Sequence, residues 1–347
     1  MTREPFFSTV YAIGSPYDRF YGQLVFKADG GVAGYAHSNE ASWQREGNEL
    51  TFFNQDNHPT SSFSKEEGGL VFTGYSAGSL WPVCLIPILT LDDCAVRNEN
   101  FPPVMINSIP KSGTYFLESV FAQLGWNSTR LHLLTGGVID DNRGIADEMM
   151  HVKPEAVRRF CSLECLCALL QPSDMMVGHI HATDEINLLR SHGCLDVSII
   201  RNLRDVLVSF YRFKKTKAKP AKLSDELWRT MDGEIGQFLG FLSYFSDKDL
   251  ESVGLIAKSM LDDPHATVLR YEDVIAGAIS DEFAGTLNGI EDGLAVRFSE
   301  TLKAKLYTPN STYSGKISQW QHFWDARVEH YFADSGLLAL NHRLGYE

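Results

Sequence analysis

Long apolar runs are absent from this sequence. The longest, Leu80 to Leu91, is 12 residues with two prolines inside it. A bilayer span needs about 20 apolar residues, so this stretch reads as core or linker. The start, Met1-Thr2-Arg3-Glu4-Pro5, has no basic segment followed by an apolar one. No export signal is expected, and the chain reads as cytoplasmic. Positive charge is also short: 31 Lys and Arg face 44 Asp and Glu, a net charge of −13. A general nucleic-acid binder needs the opposite balance, so no nucleic-acid partner is expected. Cysteine is sparse, with six residues. Cys161-x3-Cys165-x-Cys167 is not a zinc-ribbon spacing, and no His pair follows at finger spacing. The cysteines read as reduced, mostly buried thiols. Asp92-Asp93 and Asp140-Asp141 read as solvated turn acids, so no metal site is expected. Internal repeats and low-complexity tracts are lacking too.

What remains is ordinary globular material, 44% hydrophobic and 22% charged over 347 residues. That excludes disordered, collagen-like and disulfide-dense chains. It leaves room for one large domain or two smaller ones. Residues 1–100 read as β. Short runs such as Tyr21 to Phe26 and Leu70 to Tyr75 are separated by Asp29-Gly30-Gly31, Glu46-Gly47-Asn48 and Glu67-Gly68-Gly69. The spacing predicts antiparallel hairpins in a small sandwich or partial barrel. A polar, then proline-marked stretch over residues 92–103 sets a boundary, giving a β-rich accessory domain over 1–100 and a second domain over 101–347.

The second domain alternates short apolar strands with helices. Val104 to Asn107, Met175 to Ile180, Val197 to Ile200 and Thr267 to Leu269 read as strands. Tyr115 to Leu124, Glu185 to Ser191 and Asp205 to Phe213 read as helices. This predicts an α/β domain with a central parallel sheet and a ligand crevice beyond the carboxyl ends of its strands.

Two strand-turn-helix junctions carry chemistry. The first is Ser108-Ile109-Pro110-Lys111-Ser112-Gly113-Thr114-Tyr115. Backbone N–H groups at a helix start, a lysine, two hydroxyls and a glycine that allows close approach all favour an anion. A plain turn uses the same residue types. The ATPase phosphate loop, G-x-x-x-x-G-K-[ST], is excluded because Lys111 precedes Gly113 and Ser108 stands where the first glycine belongs. No G-x-G-x-x-G follows a predicted strand, so a nicotinamide cofactor has no support. The second junction puts Arg201 just past a strand end and Ser209 eight residues on. Helical geometry turns Ser209 roughly 80° from Arg201, so both can reach one phosphate. The arginine fork suits that ligand. The other reading pairs Arg201 with Asp205 at the helix start.

Together the two junctions resemble the sulfotransferases that use 3′-phosphoadenosine 5′-phosphosulfate (PAPS). Pro110-Lys111-Ser112-Gly113-Thr114 looks like that family's P-K-S-G-T loop, and Arg201 to Ser209 looks like its R-N-P-R-D-x-x-x-S element. Tyr271-Glu272-Asp273 and Ser314 to Trp320 match its Y-E-D and G-K-x-x-x-W segments more loosely. The ending Leu344-Gly345-Tyr346 is common in bacterial members. The resemblance covers roughly residues 101–347 and implies a three-layer domain akin to P-loop folds.

The resemblance further implies that Pro110, Lys111, Ser112, Gly113, Thr114 and Tyr115 hold the 5′-phosphosulfate, with Lys111 stabilising the leaving phosphate. Arg201 and Ser209 would hold the 3′-phosphate, Ser314, Gly315 and Lys316 would close over it, and Phe116 would stack on adenine. His179 falls where the family carries its general base, with His181 two residues on as the other candidate. The product would be adenosine 3′,5′-bisphosphate, and no metal is needed. Two departures stand out. Leu203 replaces the usual proline, and Val177-Gly178 supplies no lysine before the base. No dimerisation segment is identifiable, which leaves oligomeric state open. Arg201 to Lys222 carries a local charge of +7 against −20 elsewhere, either a solvated face or a steering patch for an anionic donor. Lys214 to Lys222 reads as a mobile loop over the acceptor. The acceptor is a carbohydrate, which Trp43 and neighbouring aromatics could stack on, or else a lipid or small-molecule alcohol; those aromatics could equally fill their own core. The competing reading is a P-loop-type nucleotide kinase or NTPase.

Overall fold

The structure is a computed structural model that describes residues 4–17, 19–76, 81–91, 97–146, 157–220, 223–244, 247–306 and 317–347. The chain divides into two compact units. The first is Met1–Arg97 with Gly137–Ile139 and Arg159–Gln171, and the second is Asn98–Gly136, Asp140–Arg158 and Pro172–Glu347.

After a 3-10 turn at Pro5–Ser8, the first unit runs through eight strands: β1 (Thr9–Ser15), β2 (Arg19–Phe26), β3 (Val32–Ala33), β4 (Ser42–Glu46), β5 (Glu49–Phe53), β6 (Pro59–Lys65), β7 (Phe72–Ser76) and β8 (Pro82–Thr90). They form one antiparallel sheet, ordered β3-β2-β1-β8-β7-β6-β5-β4. The residues alternate as the period of two requires: Leu50 and Phe52 of β5 and Phe63 of β6 face inward while their neighbours face out. The two ends of the sheet meet. Gly31 bridges Ser42, and the Trp43 backbone N–H donates to the Gly30 carbonyl at 3.0 Å. The strands therefore close on themselves, which removes the exposed edges of an open sheet. Phe6, Tyr11, Phe26, Phe52, Phe63 and Phe72 fill the interior. Trp43 joins them: its ring lies 5.3 Å from Phe6 and 5.2 Å from Phe26, and its indole N–H donates to Gly31 at 2.9 Å. Trp43, half-buried, thus packs against this core, as the core reading expects. Tyr17, Phe20, Tyr75 and Trp81 remain exposed.

The chain continues with β9 (Val104–Ser108), α1 (Thr114–Leu124), β10 (Asn127–Leu134), β11 (Val138–Asp141), β12 (Arg158–Phe160), α2 (Leu163–Leu169), β13 (Asp174–His179), α3 (Thr183–Ser191), β14 (Leu195–Ile200), α4 (Leu203–Thr216), α5 (Leu223–Leu227), α6 (Gly233–Tyr244), α7 (Asp247–Asp262), β15 (Thr267–Arg270), α8 (Tyr271–Ile275), α9 (Asp281–Ile290), α10 (Leu294–Leu306), α11 (Ala326–Asp334) and α12 (Leu337–Arg343). The second sheet is ordered β12-β11-β10-β13-β9-β14-β15. Its five strands from β10 to β15 are parallel. Val104 and Ile106, Met175 and Val177, and Val197 and Ile199 lie in one apolar cluster with α1, α9 and α10. Ile200 joins a second cluster with α4, α6, α7, α11 and α12. Such near-continuous apolar strands are what parallel sheets covered by helices require.

The central strand β9 lies between β13 and β14, with Gly178 beside Asn107 and Ile199 beside Ser108. Three strand ends thus open side by side. Two readings change here. Lys214 to Thr216 is not loop but the last turn of α4. Asp140, at 5% exposure, is buried and paired with Arg158 at 3.0 Å, and Asp141 pairs with Arg143 at 2.7 Å, so neither is a solvated turn acid. Asp92-Asp93 lies outside the described residues. Among the described residues no helix is long and apolar enough to cross a membrane.

Candidate active site

The turn from β9 into α1 exposes main-chain donors. Gly113 is the residue before the helix, with φ +98°, and Lys111 has φ +70°. A left-handed backbone suits glycine and strains lysine. Among the described residues no side chain caps this helix start, where main-chain N–H groups and the helix dipole favour an anion. Ser112 is fully buried, and its hydroxyl has no protein hydrogen-bond partner among the described residues. A buried polar atom left over in this way calls for a partner from elsewhere. The Thr114 hydroxyl lies 2.5 Å from that of Ser108. Pro110 is half-buried in the same turn.

Two cations converge here. Arg201, 7% exposed, follows β14 and donates from Nη1 to the Lys111 carbonyl at 3.1 Å. Its guanidinium lies 4.3 Å from the centre of the Tyr271 ring, a cation–π contact. Tyr271 also touches the loop, since a Cβ built on Gly113 would fall 2.8 Å from its ring. Lys111 holds its ammonium 4.0 Å above the Phe213 ring and makes no ion pair among the described residues. Burial, then the charges of Arg201 and Lys214, bring the Lys111 pKa down to about 8. Like charges so gathered out of water form a site that an anion would stabilise.

The Asp205 carboxylate accepts the backbone N–H groups of Ser318 at 2.8 Å and Trp320 at 3.1 Å. It therefore holds the segment that follows Ser314, Gly315 and Lys316, three positions outside the described residues. Arg204, from the same basic stretch, is turned inward. It lies over the Trp320, Trp324 and Phe332 rings and pairs with Glu329 at 3.2 Å. Ser209 sits half-buried two turns into α4.

The two histidines differ in their partners. Asn107 bonds both the N–H and the carbonyl of Ile180 at 2.9 Å, fixing the chain between them. His179 Nδ1 lies 2.7 Å from the Ser108 carbonyl, which can only accept, so Nδ1 carries the proton and Nε2 the lone pair. Burial, then the nearby His132 ring, hold its pKa well below the usual value, and the Lys111 charge adds to this. His181 Nδ1 lies 3.0 Å from the Thr135 hydroxyl, whose oxygen already accepts the His181 backbone N–H at 2.9 Å. That hydroxyl has its own proton to give to Nδ1.

Phe116 is only 3% exposed and packs in the core cluster under α1, so its ring is committed there rather than to adenine. The Tyr115 hydroxyl meets His132 Nδ1 at 3.2 Å. Ser108 and Tyr271 lie in stretches that the sequence already singles out, whereas His132 is a functional candidate that motif spacing does not reveal. Only the alternation Leu131-His132-Leu133, one polar side chain turned opposite two leucines, marks His132 beforehand.

No protein-family model and no curated protein match the chain. Among solved structures it is similar to mouse sulfotransferase SULT7A1 complexed with PAP, at 13% identity and a TM-score of 0.39, over 70% of this chain and 84% of that one. It is also similar to retinol dehydratase in a complex with retinol and PAP, at 15% identity and a TM-score of 0.40, over 69% of this chain and 82% of that one.

Proposed function

We propose that the chain is a sulfotransferase that moves a sulfuryl group from PAPS to an acceptor hydroxyl. The carrying observation is the meeting of Lys111 and Arg201 at the start of α1, beside the Ser112 hydroxyl, which among the described residues has no hydrogen-bond partner. This arrangement favours a ligand bearing several negative charges. The choice of PAPS rests on the resemblance of Pro110 to Thr114 and of Arg201 to Ser209 to the two PAPS-binding elements.

PAPS supplies the activated sulfuryl group. In this reading Ser112, Gly113, Thr114 and the α1 N–H groups bind its 5′-phosphosulfate, with Pro110 and Tyr115 shaping the turn. Arg201 and Ser209 bind the 3′-phosphate, and Ser314, Gly315 and Lys316 close over it. The acceptor oxygen attacks sulfur while the bridging S–O bond breaks. The acceptor proton passes to His179 Nε2, and the bond's electrons go to the leaving 5′-phosphate, whose charge Lys111 stabilises. His179 is preferred to His181 because its Nδ1–H is held by a pure acceptor, which leaves Nε2 as the basic atom. The acceptor is a carbohydrate or a small-molecule or lipid alcohol.

Titration calorimetry with adenosine 3′,5′-bisphosphate, against ADP and AMP, tests the reading. Preference for the bisphosphate, lost in Arg201→Ala, supports it. Equal or tighter binding of ADP with Mg²⁺ would discard it in favour of a nucleotide kinase or NTPase. Transfer of labelled sulfate across a panel of sugars, phenols and alcohols identifies the acceptor class.

A further inference from the structure

His132 belongs to no motif, yet it lies against the residue proposed as the base. β10 and β13 run parallel, with His132 beside Val177 and Leu134 beside His179. The period of two puts His132 and His179 on one face of the sheet, the face that α1 covers. Their ring centres are 4.6 Å apart, at an interplanar angle of 68°. From α1 the Tyr115 hydroxyl reaches His132 Nδ1 at 3.2 Å, with the two rings at 89°. Burial, then the charges of Glu118 and Asp140, push the Tyr115 pKa up, so the phenol keeps its proton and can donate it to Nδ1. His132 then carries its own proton on Nε2. His179 is held from the opposite side, by its Nδ1–H on the Ser108 carbonyl at 2.7 Å.

We infer that His132, clamped by Tyr115, is a positioning residue that fixes the His179 ring and sets its proton state through direct coupling between the two imidazoles. The inference rests on His179 being the base of the proposed transfer. Two imidazolium ions at this separation and burial repel strongly, so the pair takes up one proton far more readily than two. Lys111 from the phosphate loop acts on His179, and Tyr115 from α1 meets His132, with Glu118, Asp140 and Arg130 acting on Tyr115. Lys111 adds to the same effect by opposing a proton on His179. No carboxylate pairs with His179 among the described residues. A neutral His179 with a free Nε2 is the form a base must have before it can accept a proton.

The test is an NMR titration of the histidine Cε1–H signals in the full chain without ligand. The samples are the wild type, His132→Gln and His132→Phe. His179 should titrate at higher pH in both His132 variants, because the pair's first proton no longer sits on its neighbour. The acid limb of kcat/KM should move to higher pH in the His132 variants, with affinity for adenosine 3′,5′-bisphosphate unchanged. Equal His179 titration in wild type and variants overturns the inference, as does a uniform loss of activity with an unmoved acid limb. If neither His132 variant folds, the wild-type His179 signal decides it: a step in its chemical shift at the pH where His132 titrates supports the coupling, and no such step overturns it. Absence of bisphosphate binding or sulfate transfer would instead sink the functional reading, and the NMR result would stand apart from it.

Discussion

Lys111 is strained twice, by its left-handed backbone and by holding its ammonium out of water beside Arg201 and Lys214. Its pKa of about 8 gives a readable consequence. An anion in the site favours the charged lysine and raises that pKa. Below about pH 7 the lysine is protonated with or without ligand, so binding moves no proton at this group. Between pH 8 and the raised value, the free site is short of a proton that the complex holds. Bisphosphate binding at pH 8.5 to 9 should therefore take up protons, and affinity should fall as pH rises above 8. Calorimetry in two buffers of different ionisation enthalpy measures this, and uptake that persists in Lys111→Met would refute the assignment. With PAPS as donor, the same variant should lose about 10²–10³-fold in kcat, the usual effect of removing one preplaced stabilising group. Tyr271 acts one step back, as the surface that Arg201 lies on. Tyr271→Phe keeps that surface and should bind the bisphosphate nearly as well. Tyr271→Leu should weaken binding about three- to thirtyfold, the range of a partly desolvated cation–π contact. Equal losses in the two would show that the hydroxyl, not the ring face, matters.

Helix α4 does more than present Arg201. Its start is capped by the Asn202 side chain, which accepts the Arg204 N–H at 3.0 Å. One turn in, Asp205 reaches across 113 residues of sequence to Ser318. Asp205→Ala should leave two main-chain donors without their acceptor and cost roughly 1–3 kcal/mol of local stability. Hydrogen exchange should then speed up at the Ser318 and Trp320 amides while β9 and β14 stay protected; unchanged exchange there would show that other contacts hold this segment. This link also marks how far the sequence could be read. Strands β9, β13 and β14 were legible because a sheet covered on both faces leaves short apolar runs. Helices α1, α3 and α4 start one or two residues before their reading, α1 at the Gly113 turn and α4 at the Asn202 cap, because those starts precede the apolar pattern. β10 was not legible, since Asn127 to Arg130 is polar and only Leu131-His132-Leu133 alternates. The loop chemistry showed in local spacing. The Asp205, Tyr271 and His132 contacts did not, because each joins elements whose nearness only the sheet order decides.

At the scale of the molecule, the β-rich unit is not one continuous stretch of chain. A boundary near residue 100 suits the composition, but α2 and its flanks belong with the first unit. The Gln23 carboxamide donates to the Phe160 carbonyl at 2.9 Å and accepts the Ser162 N–H at 2.5 Å. The Cys165 sulfur sits so close to Gly34 that a Cβ there would meet it at 2.1 Å. Leu163, Cys165, Leu166, Cys167 and Leu169 are all buried. Burial pushes the Cys165 and Cys167 thiols up to about 12, as expected of inert packing groups. The three leucines alone account for roughly 5–9 kcal/mol of burial. A whole small domain is stable by only about 5–15 kcal/mol. A fragment of residues 1–100, cut where composition changes, should therefore fail to fold cooperatively, and a version carrying residues 157–171 on a flexible linker should regain a sharp transition. Thermal unfolding followed by near-ultraviolet circular dichroism reports on this directly, through Tyr11, Trp43 and the packed phenylalanines. Matching transitions in the two fragments would mean that the closed sheet is self-sufficient and α2 only rests on it. The complementary fragment, 101–347, carries α2 away from the strands it covers. The same burial argument predicts that it aggregates unless Leu163, Leu166 and Leu169 are replaced by polar residues.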